Sequence, residues 1–286
     1  STAVTTIDED SAYTYSIATS DVDGDALTIT APTTVAWLTL VDNADGTGTL
    51  SGTPTNAEVG THNVTLRVND GTVDVDQSFT ITVNPVNDAP VNSVPSAQSV
   101  DEDTTLTFNA ANTNLISISD VDAASSLVAV TLTATNGVLT LSGTTGLTIT
   151  APSDGTDDAS MAFTGTITDI NTALDGMIFT PTAGYNGAAS VQIVTDDQGN
   201  TGSGGALSDD DTVSITVNAV NDAPVNTVPA SVQTIDEDMT LTFNTANTNL
   251  ISISDVDAGT TPVQLSLTAT NGTLTLSGTT NLAFIL

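Results

Sequence analysis

The chain has no cysteine and no lysine, and only one arginine, one histidine and one tryptophan in 286 residues. Each scarcity excludes something. Without cysteine there is no disulfide framework, so an extracellular protein of this composition must be stapled by other means. A single basic side chain, Arg67, stands against 34 aspartates and glutamates, a formal net charge of −33. Such a chain cannot neutralise phosphates, which excludes nucleic acid as a partner. Direct contact with an anionic membrane surface is excluded for the same reason. Nucleophilic catalysis needs a base beside the nucleophile, and His62, in a Thr-His-Asn context at a strand start, reads as a surface or turn residue. No enzyme is expected. No apolar run approaches the length of a membrane span. No signal peptide opens the sequence, as expected for a stretch from inside a longer secreted polypeptide.

What the sequence does have is internal repetition, the feature that decides architecture. Asn-Asp-Ala-Pro-Val occurs at Asn87–Val91 and again at Asn221–Val225. Asp-Glu-Asp follows each copy, at Asp101–Asp103 and Asp236–Asp238, one residue later in register the second time. Ile-Ser-Ile-Ser-Asp-Val-Asp-Ala recurs at Ile116–Ala123 and Ile251–Ala258. The opening segment is a shorter relative, with its own Asp8-Glu9-Asp10 and Asp21-Val22-Asp23-Gly24-Asp25. Three units are expected: residues 1–86, 87–220, and 221–286 as the N-terminal half of a third.

Apolar residues alternate with Thr and Ser at period two, the pattern of half-buried strands. Tyr13/Tyr15/Ile17, Val64/Leu66/Val68 and Val213/Ile215/Val217 are examples. With 38% hydrophobic residues in such runs, the high charge does not read as disorder. Asn136-Gly137 and Asn271-Gly272 predict type I′ hairpins. Residues 169–176 predict one or two helical turns, capped by Thr168 or Asp169 and ended by Gly176. The fold class is all-β: tandem Ig-like sandwiches in an extended array, with one short helix in the second domain.

The acidic residues cluster. In each unit an Asp-Glu-Asp precedes the second strand, an Asp-Val-Asp or its equivalent follows it, and an acidic turn comes late. In a sandwich of alternating strands, the second and third of these share the end facing the preceding linker. The first lies at the opposite end. Each junction then gathers oxygens from the base of one unit, the linker and the top of the next. Calcium takes about six to eight oxygen ligands, and Asp-x-Asp spacing aims two carboxylates the same way. The candidates at the first junction are Asn87, Asp88, Asp120, Asp122 and Asp196, helped by Asp8, Glu9 and Asp10. At the second they are Asn221, Asp222, Asp255 and Asp257, helped by Asp101, Glu102 and Asp103. A site at the top of the first unit would use Asp21, Asp23, Asp25 and Asp70. The stretch 21–25 is EF-loop-like only in part, because Pro32 stands where the twelfth-position Glu would be.

Other motifs read blandly. Trp37 reads as core more readily than as a sugar platform. The loop 199–206 is Gly-rich but lacks a lysine and a following helix, so it reads as a hairpin tip and not a phosphate cradle.

These residues resemble a known family. The Asn-Asp-Ala-Pro linkers, the Asp-Glu-Asp and Asp-Val-Asp pairs and the run Thr168–Pro181 are similar to the cadherin-like repeats of giant bacterial (RTX/biofilm-type) surface adhesins. Residues 1–88, with Trp37-Leu38 and Ser51-Gly52-Thr53-Pro54, resemble a dystroglycan-type cadherin-like or Ig-like module. The resemblance implies calcium between successive domains and an extender role at the bacterial cell surface. The expected partners are adjacent repeats of the same polypeptide. Two alternatives remain open: a filament subunit completed by neighbouring chains, and a module that binds surface glycans.

Overall fold

The computed structural model describes residues 1–285. They fall into two compact units, which divide after Ala219.

The first unit holds two β-sandwiches. The first is built from β1 (Thr6–Asp8), β2 (Tyr13–Ala18), β3 (Thr28–Thr33), β4 (Leu38–Asp42), β5 (Thr47–Gly52), β6 (Gly60–Asn69) and β7 (Asp74–Asn84). Its sheets run β1-β7-β6-β3 and β2-β5-β4. The strict alternation in β2 puts Tyr13, Tyr15 and Ile17 inside and Thr14, Ser16 and Ala18 outside. Leu50, Val64, Leu66 and Ile81 complete this core. Each such side chain contributes about 1.5–3 kcal/mol on full burial. Trp37 packs against the same core and meets Tyr13 edge to face at 5.8 Å.

The second sandwich contains β8 (Val91–Ser93), β9 (Gln98–Asp101), β10 (Leu106–Phe108), β11 (Ser117–Ser119), β12 (Leu127–Thr135), β13 (Gly137–Thr140), β14 (Thr148–Ile149), β15 (Ser160–Thr166), α1 (Ile167–Leu174), β16 (Met177–Pro181), β17 (Gly187–Asp196) and β18 (Ser208–Asn218). A six-stranded sheet, β14-β15-β12-β17-β18-β9, faces the three-stranded β10-β16-β13, and β8 pairs with β11. In both sandwiches an early strand lies parallel to the last one: β1 beside β7, and β9 beside β18.

Helix α1 starts earlier than its sequence suggests. Its N-cap is Thr166, whose hydroxyl oxygen accepts from Asp169 N at 3.2 Å and donates to the Asp169 carboxylate at 2.7 Å. Ile170, Ala173 and Leu174 face inward. Gly176 follows the C-cap with φ +104°, a conformation that favours glycine.

Asn136-Gly137 does not form the predicted hairpin. Asn136 has positive φ, but β13 leaves the sheet of β12 and pairs with β16 in the other one. Glycine is required there for close approach. A Cβ at 137 would lie 2.4 Å from the Phe179 ring and 2.7 Å from the Thr180 carbonyl oxygen.

The second unit contains β19 (Val225–Thr227) paired with β20 (Ser252–Ser254). No helix among the described residues is long and apolar enough to cross a membrane.

Gly137→Ala therefore overpacks the second core and should cost about 1–3 kcal/mol. Circular dichroism on urea unfolding should report the loss. Fluorescence of the single tryptophan, which sits in the first sandwich, should keep its midpoint.

Candidate metal centre at the junction of the first two sandwiches

Three stretches meet where β7 gives way to β8. The first is the Asp-Glu-Asp turn between β1 and β2. Asp8 Oδ1 accepts from the Asn84 side-chain amide at 2.9 Å, and Glu9 N donates to Asn84 O at 3.0 Å. Asp10 sits at φ +58° and donates its N–H to Pro54 O at 2.7 Å. This left-handed turn throws the Glu9 side chain inward, where it is 2% exposed. Glu9 Oε1 accepts from Val86 N at 2.6 Å, while Oε2 is buried and has no hydrogen-bond donor.

The second stretch is the linker. Asp88 N donates to Asp122 Oδ2 at 2.5 Å. The third is the Asp-Val-Asp turn after β11. Asp120 Oδ1 accepts from Asp122 N at 2.8 Å and Ala123 N at 2.9 Å, and its Oδ2 is buried without a donor. Asp122 is buried, and its Oδ1 accepts from the Asn56 side-chain amide at 2.6 Å. Asn56 belongs to a 3-10 turn of the first sandwich, Asn56–Glu58, so Asp122 ties the first sandwich, the linker and the second sandwich together.

Oxygens of Glu9, Asp10 and Asp88 lie within 4.8 Å of one another. Burial and then neighbouring negative charge act on two of them, Glu9 and Asp88. Burial pushes the Glu9 carboxyl up; the Val86 N–H pulls it back, and the charges of Asp122, Asp88 and Asp10 push it up further. Asp88 is raised by burial and then by Asp122, Asp10 and Asp120. The one arginine is engaged elsewhere, with Asp76 at 2.7 Å and Asp74 at 2.9 Å on an exposed strand pair.

A fourth stretch, the β17–β18 loop, closes on the linker. Ser203 N donates to Pro85 O at 2.9 Å, and Asn87 N donates to Ser203 O at 3.0 Å. A Cβ at Gly202 would lie 2.6 Å from Asn87 N, so glycine is needed for this approach. The loop is a clasp on the linker and not the free hairpin tip its sequence suggests. The sequence points to Asp196 here, but the carboxylate that meets Asn87 is that of Asp197, at 2.6 Å and 2% exposed. Asp196 is the last residue of β17 and accepts from Gln198 N at 2.8 Å. Burial raises the Asp197 carboxyl, but the N–H groups of Gly199 and Leu207 and the Asn87 amide outweigh it and hold it below the usual range. Asn56, Gly202 and Ser203 are junction residues that the acidic motifs alone did not indicate, and Asp197 stands in the late acidic turn beside the expected Asp196.

The other candidates occupy comparable turns. Asp101 accepts from the Asn218 amide at 3.1 Å, and Glu102 N donates to Asn218 O at 2.9 Å, as Asp8 and Glu9 do with Asn84. Glu102 is buried, and Asp103, at φ +58°, accepts from Gly184 N at 3.1 Å. Within the second unit, Asp222 N donates to Asp257 Oδ2. Asp255 Oδ1 accepts from Asp257 N at 3.1 Å and Ala258 N at 2.9 Å, repeating the pattern at 120–123. The Asn221 amide turns instead to Asp222 O at 3.0 Å. At the top of the first sandwich Asp21 and Asp70 line one shallow cleft. Asp21 Oδ1 accepts from Asp23 N at 2.8 Å and Asp25 N at 3.2 Å, and Asp23 and Asp25 are exposed. The N–H groups of Val73 and Thr72 hold the Asp70 carboxyl low. His62 Nε2 lies 2.5 Å from Glu58 O, and its ring meets Trp37 edge to face at 6.0 Å.

Residues 1–84 match the sequence model of the family described as Putative Ig domain. The fold of residues 1–219 is a pair of β-sandwiches, of which the first carries the Ig-like match. No curated protein matches it. Among solved structures, human protocadherin-24 EC1-2 is 19% identical with a TM-score of 0.34, over 70% of this chain and 86% of that one. Human mucin-like protocadherin EC1-2 is 13% identical with a TM-score of 0.33, over 76% and 95%. An endo-fucoidan hydrolase from glycoside hydrolase family 107 is 24% identical with a TM-score of 0.29, over 76% of this chain. The chain spans 28% of that hydrolase's length.

The raised Glu9 carboxyl has a definite sign. In metal-free buffer its ionisation costs stability, so that contribution fades as pH rises from the ordinary value of 4.5 through the raised one. Glu9→Gln cannot ionise. Its urea midpoint should gain on that of the parent chain as pH rises to neutrality, and an equal midpoint at every pH would contradict the assignment.

Proposed function

We propose that the chain is part of the extender region of a bacterial cell-surface adhesin that serves cell adhesion and biofilm formation. On this reading, calcium bound at the junctions holds successive sandwiches in line. The observation that carries the reading is the pair of buried carboxylate oxygens without donors, Glu9 Oε2 and Asp120 Oδ2, contributed from the two sides of one linker. A buried charge needs a partner. The chain has almost no cations of its own, and an all-oxygen donor set suits a hard divalent ion. Glu9, Asp10, Asp88, Asp120 and Asp122 would hold it. Bound there, the ion would supply positive charge to both sandwiches at once.

The chain's own residues do the rest. Asp122 bonds the linker backbone and Asn56, and the β17–β18 loop clamps Val86 and Asn87. Hinging at the linker would break these bonds. The parallel pairings suit a load-bearing spacer, because a pull on the two chain directions shears the β1–β7 and β9–β18 ladders and loads all their hydrogen bonds together. Trp37 is packed on the first core, which favours a spacer over a glycan-stacking platform.

An ion that binds only the folded junction stabilises it by about 2.7 kcal/mol at a hundred times its Kd. For a compact unit the size of residues 1–219 that is roughly 5–10 °C in Tm. Calorimetry should show a fall of this order on adding a chelator, and small-angle scattering should show a more flexible particle. Asp120→Ala with Asp122→Ala should reproduce the loss at this junction alone. If neither chelator nor variant changes Tm or scattering, calcium is not the tie.

A further inference from the structure

The linker between the first two sandwiches is fastened on two sides, and the fastenings differ in kind. Toward the second sandwich every polar group is matched. Val86 forms a parallel bridge with Ser203, in which Ser203 N donates to Pro85 O at 2.9 Å and Asn87 N to Ser203 O at 3.0 Å. The Asn87 amide donates to Asp197 Oδ2 at 2.6 Å and to Gly205 O at 3.2 Å. Asp197 Oδ1 accepts from Gly199 N at 2.7 Å and Leu207 N at 2.9 Å, so both of its oxygens are supplied with donors. The loop is itself tied down: the Thr201 hydroxyl donates to Asp122 O at 2.8 Å, and the Asn200 amide to Asp197 O at 2.7 Å.

Toward the first sandwich the contacts run through crowded acids. Val86 N turns away from Ser203 and donates to Glu9 Oε1 at 2.6 Å, and the Asn56 amide reaches Asp122 Oδ1 at 2.6 Å. Glu9 Oε2 has no donor, and oxygens of Glu9, Asp10 and Asp88 lie within 4.8 Å of one another. Like charges that close repel. Without a cation this side is the weaker one.

Between the two fastenings the backbone has little freedom. Asn84 ends β7; its O accepts from Glu9 N at 3.0 Å and its amide donates to Asp8 at 2.9 Å, so it moves with the first sandwich. The Pro85 ring fixes its own φ near about −65°. It also confines the residue before it to extended conformations. Beyond that point Pro85 O is already held by Ser203.

We infer that this junction has a single stiff pivot, at Asn84–Pro85, and that residues 85–87 travel with the second sandwich as part of it. Hinging within residues 85–87 would break the clasp. A swing about Asn84–Pro85 breaks only the bonds of Val86 to Glu9 and of Asn56 to Asp122. The first sandwich therefore opens from the acidic side through a narrow arc, and the linker never comes free at both ends. Pro85 is a positioning residue, and the β17–β18 loop is what reduces a three-residue linker to one pivot. The inference holds whichever cation meets the acidic side.

Adjacent amides of the whole chain report the two fastenings separately. In metal-free buffer, nuclear magnetic resonance should find Val86 N–H exchanging about tenfold or more faster than Asn87 N–H and Ser203 N–H, the order of effect of one lost hydrogen bond. Asn87 and Ser203 exchanging as fast as Val86 overturns the inference. Added calcium should slow Val86 alone; if it does not, the calcium reading fails, and the comparison of Val86 with Asn87 still decides the pivot. The cysteine-free background admits spin labels at the exposed sites Thr61→Cys on the first sandwich and Thr212→Cys on the second. In metal-free buffer, Pro85→Gly should broaden the distribution of distances between the labels without removing a hydrogen bond, because proline has no N–H to lose. Gly202→Val places a Cβ 2.6 Å from Asn87 N. It should broaden the distribution too, and raise the Asn87 rate to that of Val86. If Gly202→Val does not fold, Pro85→Gly decides alone: an unchanged distribution in that variant rules out the pivot.

Discussion

A carboxylate that leaves water needs positive charge or several donors, and this chain has one arginine to offer thirty-four acids. Most of the acids escape the difficulty by staying in water or by accepting backbone N–H groups in tight turns, as Asp70 and Asp120 Oδ1 do. The junction does not permit that escape. Glu9 and Asp122 are buried there because the base of one sandwich, the linker and the top of the next close over them. Glu9 takes the linker at Val86 N, and Asp122 takes both the linker at Asp88 N and Asn56 of the first sandwich.

The backbone prepares this convergence locally. In each Asp-Glu-Asp the third residue takes positive φ, at Asp10, Asp103 and Asp238. Aspartate tolerates that conformation better than most residues. The turn drives the central glutamate inward in the first two copies, where Glu9 and Glu102 are each 2% exposed. At 120–122 and 255–257 the first carboxylate of Asp-Val-Asp caps its own turn, which frees the second to meet the linker N–H. One short motif thus folds itself, and its neighbour makes the connection.

The strands and the acidic turns were legible because their signals are periodic and local. Period two in Tyr13/Tyr15/Ile17 needs no tertiary knowledge, and the repeated Asp-Val-Asp declares itself by recurrence. The parts that depend on where a strand ends were not legible. Asp196 and Asp197 are adjacent acids, and the last residue of β17 decides which one faces Asn87. Gly137 looked like a turn glycine but is a packing glycine, a distinction made by Phe179, forty-two positions away in sequence. Asn56 and the loop around Gly202 carry no charge, so a search for acids passed over the residues that clasp the linker.

The lone arginine has a consequence of another kind. A protease that cuts after basic residues finds a single peptide bond in this chain, after Arg67. That bond lies inside β6, which is laddered to β7 on one side and β3 on the other, with the guanidinium held by Asp74 and Asp76. Digestion requires an extended, accessible segment, usually a loop tip. The folded chain therefore offers trypsin-like enzymes almost nothing, and resistance to them comes with the composition itself.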